Sequence, residues 1–164
     1  ELPGPPGPLG CRMTESHRRL VEAPCAQRMR SYSPYSRFRV GAALLGRDGT
    51  VYLGTNVENA SFGLSICAER AAVCGAVSDG ARAFDAIAIC ADGSEPAPPC
   101  GACRQVLLEF GPDLVVLMAG NRGAAGPVLM STAGELVPLA FTDFSTNLAD
   151  ERNGDMDTGK GDGR

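Results

Sequence analysis

The chain contains 164 residues, of which 44% are hydrophobic, and it carries a formal net charge of −4 at pH 7. This length and composition are typical of one soluble domain with a single core. The negative charge argues against a nucleic-acid-binding protein, because such a protein needs a cationic face to neutralise phosphates. No apolar run approaches the roughly 20 residues that span a bilayer, and no signal-peptide pattern is found at the start. We therefore expect a cytoplasmic protein that is not inserted in a membrane.

The two ends of the chain differ in composition from its centre. Residues 1–12 are rich in proline and glycine, which excludes a helix or a paired strand, and we interpret them as a tail or linker. Residues 146–164 are polar and nearly without apolar anchors, so we expect a disordered tail. The folded domain is predicted over residues 13–145. It begins with a weakly amphipathic helix at 14–31, which Pro24 should kink or restart.

Strand and helix patterns alternate through the centre of the chain. Two strands, at 39–45 and 50–57, are joined by the turn signal Arg47-Asp48-Gly49 and form a predicted hairpin. The remaining predicted elements, in chain order, are a helix at 67–78, a strand at 84–90, a helix at 100–110, strands at 114–118 and 128–131, and a turn at 134–137. This alternation predicts the α/β class: a sandwich in which helices cover a mixed sheet of about five strands.

The chain has seven cysteines and one histidine. An odd number of cysteines is a poor disulfide framework, and clustered cysteines in a reducing compartment more often bind metal or carry out redox chemistry. We interpret Cys74 and Cys90, in a predicted helix and a predicted strand, as small buried hydrophobic residues. The histidine, His17, lies near the N-terminus, so a catalytic scheme based on histidine is unpromising.

Two cysteine-containing segments carry the pattern of a metal site. They are Cys67-Ala68-Glu69-Arg70 and Pro99-Cys100-Gly101-Ala102-Cys103, and each opens a predicted helix directly after a loop. The last two cysteines are three residues apart and share one face of a helical turn. Two helix N-termini aimed at one point would bring three sulfurs together. Zinc accepts such thiolates in a tetrahedron, and a catalytic zinc site leaves the fourth position to water.

The residues around these cysteines complete a predicted catalytic zinc site with Cys67, Cys100 and Cys103 as ligands. Glu69 lies two residues after Cys67, where its carboxylate would stand beside the metal without ligating it and could move protons. Arg70 is expected to donate hydrogen bonds to one or two thiolates. Gln105 is a weaker candidate for the same supporting role. The alternative interpretation is that Arg70 and Gln105 simply lie on a solvated helix face.

The Cys-x-x-Cys element alone has three interpretations of similar weight: a catalytic metal site, a thioredoxin-like redox pair, and half of a structural zinc ribbon. The redox interpretation lacks the expected placement after a first strand, and the ribbon lacks a second Cys-x-x-Cys. The upstream Cys-x-Glu favours the catalytic site, because zinc deaminases carry His-x-Glu or Cys-x-Glu followed by Pro-Cys-x-x-Cys.

At these residues the chain resembles the small, homotetrameric cytidine deaminases whose zinc ligands are all cysteines. The similarity extends to residues 34–44, to residues 56–60 and to Leu136-Val137-Pro138 followed by Phe141, and it covers roughly residues 14–144. The resemblance implies a three-layer α/β/α cytidine-deaminase-like sandwich and one Zn²⁺ per subunit. It implies hydrolytic deamination of cytidine and deoxycytidine in a homotetramer whose active sites are completed by neighbouring subunits.

The same resemblance implies a small-molecule nucleoside as the partner of the site. Phe38 would stack on the pyrimidine, and Asn56 and Glu58 would hydrogen-bond the ribose 3′-hydroxyl. The other implied contacts are made by Ala68 to the base through its backbone, by Tyr35 on the sugar side, and by Phe141 in a neighbour's site. Without the zinc motifs, Phe38 would be interpreted as core, Asn56 and Glu58 as a solvated turn, and Phe141 as an anchor for the tail.

Three other functions compete with cytidine deamination. One is a deaminase of a related aminopyrimidine nucleoside such as blasticidin S. Another is an editing deaminase acting on RNA or DNA, which the acidic charge disfavours. The third is a structural zinc module without activity, in which Glu69 would be a surface helix residue.

Overall fold

The computed structural model describes residues 13–142, which form a five-stranded sheet with helices on both faces. The predicted tails at 1–12 and 146–164 lie outside the described residues, and the domain limits 13–145 stay a prediction. The helices are α1 (Glu15–Gln27), α2 (Ala68–Ser78) and α3 (Gly101–Leu108), and the strands are β1 (Val40–Gly46), β2 (Val51–Thr55), β3 (Phe84–Ala91), β4 (Val115–Ala119) and β5 (Val128–Thr132). Single 3₁₀ turns occupy Arg28–Arg30, Phe62–Leu64 and Gly123–Ala125.

Helix α1 begins with a capping box. The Thr14 hydroxyl accepts a hydrogen bond from the His17 backbone N–H, and the His17 side chain accepts one from the Thr14 N–H. The helix continues through Pro24 to Gln27, so of the two expected effects of Pro24, a kink or a restart, the restart is wrong. Pro24 is fully buried, and its carbonyl lies where a side chain on Gly41 of β1 would stand. Burial against the sheet offsets the hydrogen bond that proline cannot donate.

The direction of the strands decides where the helices begin. The strand order is β2-β1-β3-β4-β5, with β3 and β4 parallel and the other neighbouring pairs antiparallel. Because β2 and β3 are both antiparallel to β1, their carboxyl ends lie at the same edge of the sheet. Helix α2 follows β2 and α3 follows β3, so both helices begin on this side. The predicted mixed five-stranded sheet is confirmed.

The two faces of the sheet are covered by different helices. Along β3, Ala86 and Ala88 belong to a cluster with Val21 of α1, whereas Ile87 and Ile89 belong to a cluster with residues of α2 and α3. Alternate side chains of a strand point to opposite faces. The small residues of β3 therefore pack against α1, and the large ones pack against α2 and α3. The arrangement is a three-layer α/β/α sandwich, as expected.

Gly54 allows α2 to approach β2 closely. A Cβ atom at this position would collide with backbone atoms of Ala68 and Ala72. Only glycine permits such an approach of a helix backbone to a strand. Gly54 therefore helps to set the position of the first turn of α2.

Two expectations about cysteines are wrong: that the chain would hold no disulfide, and that Cys74 would be buried. Cys25 of α1 and Cys90 of β3 form a disulfide, with Cα atoms 5.1 Å apart. Cys90 is fully buried, but as a bonded residue and not as a free hydrophobic one. Helix α1 packs directly over β3 and so brings together two residues that are 65 positions apart, which local periodicity does not reveal. Cys74 is exposed on α2 instead of buried.

Within residues 13–142, no helix is both long and apolar enough to cross a membrane.

Reduction of the Cys25–Cys90 disulfide should lower the free energy of unfolding by about 2–4 kcal/mol, because the crosslink restricts the unfolded chain. Urea unfolding of the wild-type protein, with and without tris(2-carboxyethyl)phosphine, measures the difference. The double variant C25A/C90A is the control and should not respond to the reductant. Equal stability of the wild-type protein in both conditions would contradict the prediction.

Candidate active site

Three cysteines meet where α2 and α3 begin. Cys67 is the N-cap of α2 and Cys100 is the N-cap of α3, and both have extended backbone. Cys103 lies in the first turn of α3 and is buried. The three Sγ atoms all lie within 4.8 Å of one another. The predicted convergence of two helix N-termini is thus found.

The spacing of the sulfurs suits a tetrahedral metal. The Sγ atoms of Cys67 and Cys100 are 3.7 Å apart, and a tetrahedron with Zn–S bonds of about 2.3 Å has edges of about 3.8 Å. The helix N-termini also place partial positive charge beside the sulfurs. These three residues could therefore hold a zinc ion.

Arg70 supports the sulfur of Cys67. Its Nη2 lies 3.8 Å from Cys67 Sγ and donates to the Ser65 carbonyl at 3.1 Å, which fixes the guanidinium beside the cluster. Hydrogen bonds from the Cys103 thiol and then from Arg70 lower the pKa of Cys67 to about 5, against its partial burial. Hydrogen bonding to Cys67, together with burial, raises the pKa of Cys103. The cluster therefore holds its negative charge first on Cys67.

Glu69 is a buried charged residue beside these sulfurs, with only 4% of its surface exposed. Burial raises the pKa of this carboxyl, and the charge of Cys67 raises it further. The alternative of a surface helix residue does not describe this side chain. A carboxyl whose pKa is raised by burial holds a proton more readily than an exposed carboxyl, which suits it to carry protons during a reaction.

A cavity of about 570 Å³ opens beside the cluster, which is within the range of small-molecule sites. Of the sequence-predicted site residues, those that line it are Tyr35, Phe38, Asn56, Glu58, Cys67, Ala68, Glu69 and Cys100. Ser36, Ile66 and Pro98 also line the cavity and were missed as candidate site residues.

The side-chain amide of Asn56 joins the end of β2 to the start of β1. Its Oδ1 accepts from the Val40 N–H at 2.8 Å and from the Ser31 hydroxyl at 2.6 Å, and its Nδ2 donates to the Phe38 carbonyl at 2.8 Å. The backbone groups of Val40 and Phe38 fix which end of the amide is oxygen. An amide nitrogen has two N–H groups, so one is left for a ligand.

The carboxylate of Glu58 closes the turn that precedes Phe38. Its Oε2 accepts from the backbone N–H groups of Tyr35 at 2.8 Å and Ser36 at 3.2 Å, and its Oε1 accepts from the Ser36 hydroxyl. The hydrogen bond from the Ser36 side chain, and then those from the backbone, lower the pKa of Glu58 despite some desolvation. The carboxylate is therefore ionised at neutral pH.

Residues 14–119 match the family model described as the cytidine and deoxycytidylate deaminase zinc-binding region. The chain belongs to this family. A cytidine deaminase of Halalkalibacterium halodurans is 50% identical over 123 residues, covering 75% of this chain and 92% of that protein. One of Sporosarcina psychrophila is 42% identical over 134 residues, covering 82% and 97%. The crystal structure of the Burkholderia pseudomallei cytidine deaminase is 48% identical, covers 76% of this chain and 98% of that one, and has a TM-score of 0.72.

In this member of the deaminase family, the last two candidate residues, Gln105 and Phe141, contact each other and do not line the cavity. Gln105 was a weaker candidate to support a thiolate, but its Nε2 donates to the C-terminal segment, at the carbonyl of Phe141, over 2.9 Å. Phe141 itself is 61% exposed and does not line the cavity of its own chain. The neighbouring Arg104 donates to the carbonyls of Pro99 and Leu136. Helix α3 thus connects the metal-site loop with the C-terminal segment.

In the zinc-free protein, the Cys67 thiol should titrate near pH 5, so that it is a thiolate at neutral pH. Replacing Arg70 by Gln should raise this midpoint, because a hydrogen-bonded cation is lost while the Cys103 bond remains. Thiolate absorbance at 240 nm measures the titration. Comparison with the variant Cys67→Ala shows how much of this absorbance comes from Cys67 and how much from the other cysteines. Arg82→Gln, at the other end of α2, is the matched control. An unchanged midpoint in Arg70→Gln would contradict the assignment.

Proposed function

We propose that this chain hydrolyses cytidine and deoxycytidine to uridine and deoxyuridine and releases ammonia, with Cys67, Cys100 and Cys103 as zinc ligands and Glu69 as the proton carrier. The observation that carries the proposal is a buried carboxylate beside three converging sulfurs, at the end of a cavity large enough for a small ligand. The names of the similar proteins, which are cytidine deaminases, support the same reaction.

The chemistry requires one group that handles protons several times. Zinc, when bound, makes water acidic enough to supply a nucleophile near neutral pH. Glu69 would accept a proton from the attacking water and give it to N3 of the base, so that C4 becomes electrophilic and takes the oxygen. Glu69 then passes the second proton of the water to the amino nitrogen, and the C4–N bond breaks. The oxygen remains on C4 as the carbonyl of uridine, and ammonia leaves.

The cavity supplies groups for both halves of a nucleoside. Phe38, 45% exposed, offers a ring on which the pyrimidine can stack, and Ala68 offers its backbone to the base. The spare N–H of Asn56 and a spare lone pair on Glu58 are suited to the ribose 3′-hydroxyl. Tyr35 lines the sugar side.

We expect the chain to assemble as a homotetramer. Several large apolar side chains are exposed in the single chain, which is typical of a surface that another subunit covers. They include Phe62, Leu64, Leu139 and Phe141. In the tetramer Phe141 would reach into a neighbour's cavity, and Tyr35 would lie near an interface.

We also propose a cytoplasmic location and a role in pyrimidine salvage, since free nucleosides are the substrates of such an enzyme. A disulfide is uncommon in a reducing compartment. Burial of Cys90 would slow reduction of the bond to Cys25 as long as the protein stays folded. No nucleic-acid partner is proposed, because the net charge of −4 is unsuited to a polyanion.

Two alternatives are separated by the same assay. A structural zinc module would release no ammonia from any nucleoside, and its metal would usually have four protein ligands. A deaminase of another aminopyrimidine nucleoside would release ammonia from blasticidin S faster than from cytidine. Ammonia release from the two substrates therefore tests the proposed function directly.

Replacing Glu69 by Gln should lower kcat/KM for cytidine by about 10²–10⁴ or more, because the amide cannot carry the protons. Zinc content should stay near that of the wild-type protein, since Glu69 is not proposed as a ligand. Steady-state ammonia release and metal analysis measure the two quantities. Glu109→Gln, at the exposed end of α3, serves as the control. Near-normal turnover by Glu69→Gln would remove this residue from the mechanism.

Replacing Cys100 or Cys103 by Ala should abolish tight zinc binding, because only two sulfur ligands would remain. Metal analysis after dialysis should give about one zinc per wild-type chain and almost none per variant chain. Cys74→Ala, which removes an exposed cysteine, should keep its zinc and its activity. Full zinc retention by Cys103→Ala would exclude that sulfur as a ligand.

A further inference from the structure

The hydroxyl of Ser36 lies between two residues of the cavity. It donates to Oε1 of Glu58 and accepts from the backbone N–H of Phe38 at 3.0 Å. An ionised carboxylate can only accept, and a backbone N–H can only donate. The two partners therefore fix the direction of the hydroxyl proton, which must point to Glu58.

The rest of the turn depends on the same carboxylate. Oε2 of Glu58 accepts from the Tyr35 and Ser36 N–H groups, which orients the plane of the carboxylate. Arg37, the next residue, has a φ of 58°, in the left-handed region that costs a residue with a side chain about 1 kcal/mol or more. Its N–H donates to the Ser33 carbonyl at 3.0 Å, which closes the turn.

These contacts leave the carboxylate with one unused acceptor position. An ionised carboxyl group offers about four lone-pair sites, and the three hydrogen bonds above occupy two on Oε2 and one on Oε1. The remaining site is on Oε1, the atom bonded to Ser36, and both residues line the cavity. Without the Ser36 hydroxyl, Oε1 would lose its hydrogen bond, and the carboxylate could tilt about the two contacts that remain on Oε2.

We propose that Ser36 is a positioning residue for substrate binding, which acts through Glu58 by aiming the free lone pair of Oε1 at the ribose 3′-hydroxyl. The proposal rests on the proposed function of the site. In this proposal Ser36 does not contact the reacting atoms. Its effect is therefore expected on recognition of the sugar and not on proton transfer at the base.

This role predicts a loss that depends on the substrate. Ser36→Ala should raise KM for cytidine by about tenfold, the scale of one hydrogen bond to a charged group, with kcat changed less than threefold. For 3′-deoxycytidine, which lacks the hydroxyl that Glu58 would bind, KM should change by less than about twofold. A purely structural role for Ser36 would impair both substrates equally.

The comparison needs matched variants. Ser36→Thr keeps the hydroxyl and should restore KM for cytidine to within about threefold of the wild type. Ser36→Cys keeps the volume but donates weakly, so it should show the selective loss even where Ser36→Ala folds poorly. Ser78→Ala, an exposed serine at the end of α2, should behave as the wild type.

A double-mutant cycle adds a second criterion. In a Glu58→Ala background, Ser36→Ala should have little further effect on cytidine, because residues that act as one unit are not additive. Binding of uridine and 3′-deoxyuridine, measured by calorimetry, should show the same selectivity without turnover. Full additivity of the effects of Ser36→Ala and Glu58→Ala, or an equal loss of affinity for both nucleosides, would overturn the proposal.

Absence of ammonia release by the wild-type protein would instead refute the proposed function.

Discussion

Negative charge is concentrated at the point where three sulfurs and one carboxylate meet, and the rest of the site depends on how this charge is balanced. Three thiolates around a divalent metal leave a formal charge of about −1. Arg70 brings one positive charge to Cys67, and the first turns of α2 and α3 add the partial charges of their N–H groups. Glu69 is buried next to them, and its burial, followed by the negative charge of Cys67, raises the pKa of its carboxyl group.

The sheet makes this concentration of charge possible. β2 and β3 run in the same direction on either side of β1, so the helices that follow them begin at one edge. Gly54 then allows the first turn of α2 to lie close against β2. The cavity is built at the same edge, from the loop before β1 and the segment after β2. Strand order thus places the sulfur cluster and the cavity next to each other.

Much of this arrangement is local enough to be predicted from sequence. Cys100 and Cys103 share a helical face by their spacing, and the alternation of strands and helices predicts the sandwich. The Cys25–Cys90 bond is not local, because it depends on how α1 crosses β3. Likewise, Gln105 lies close to the cysteines in sequence, yet its amide turns to the C-terminal segment. The direction of a long side chain depends on tertiary neighbours that spacing does not specify.

The capping box at the start of α1 has a consequence for the acid–base behaviour of the enzyme. The single imidazole of the chain is used there, bonded to Thr14 and outside the cavity. Imidazole is the side chain whose ordinary ionisation falls between pH 5 and 8. Among the side chains that line the cavity, an ionisation in that interval would therefore belong to a group with a perturbed pKa, such as a buried carboxyl or a thiol. The proposed proton transfer would thus rely on a buried carboxyl and a metal site, without the residue that most often serves as a general acid or base.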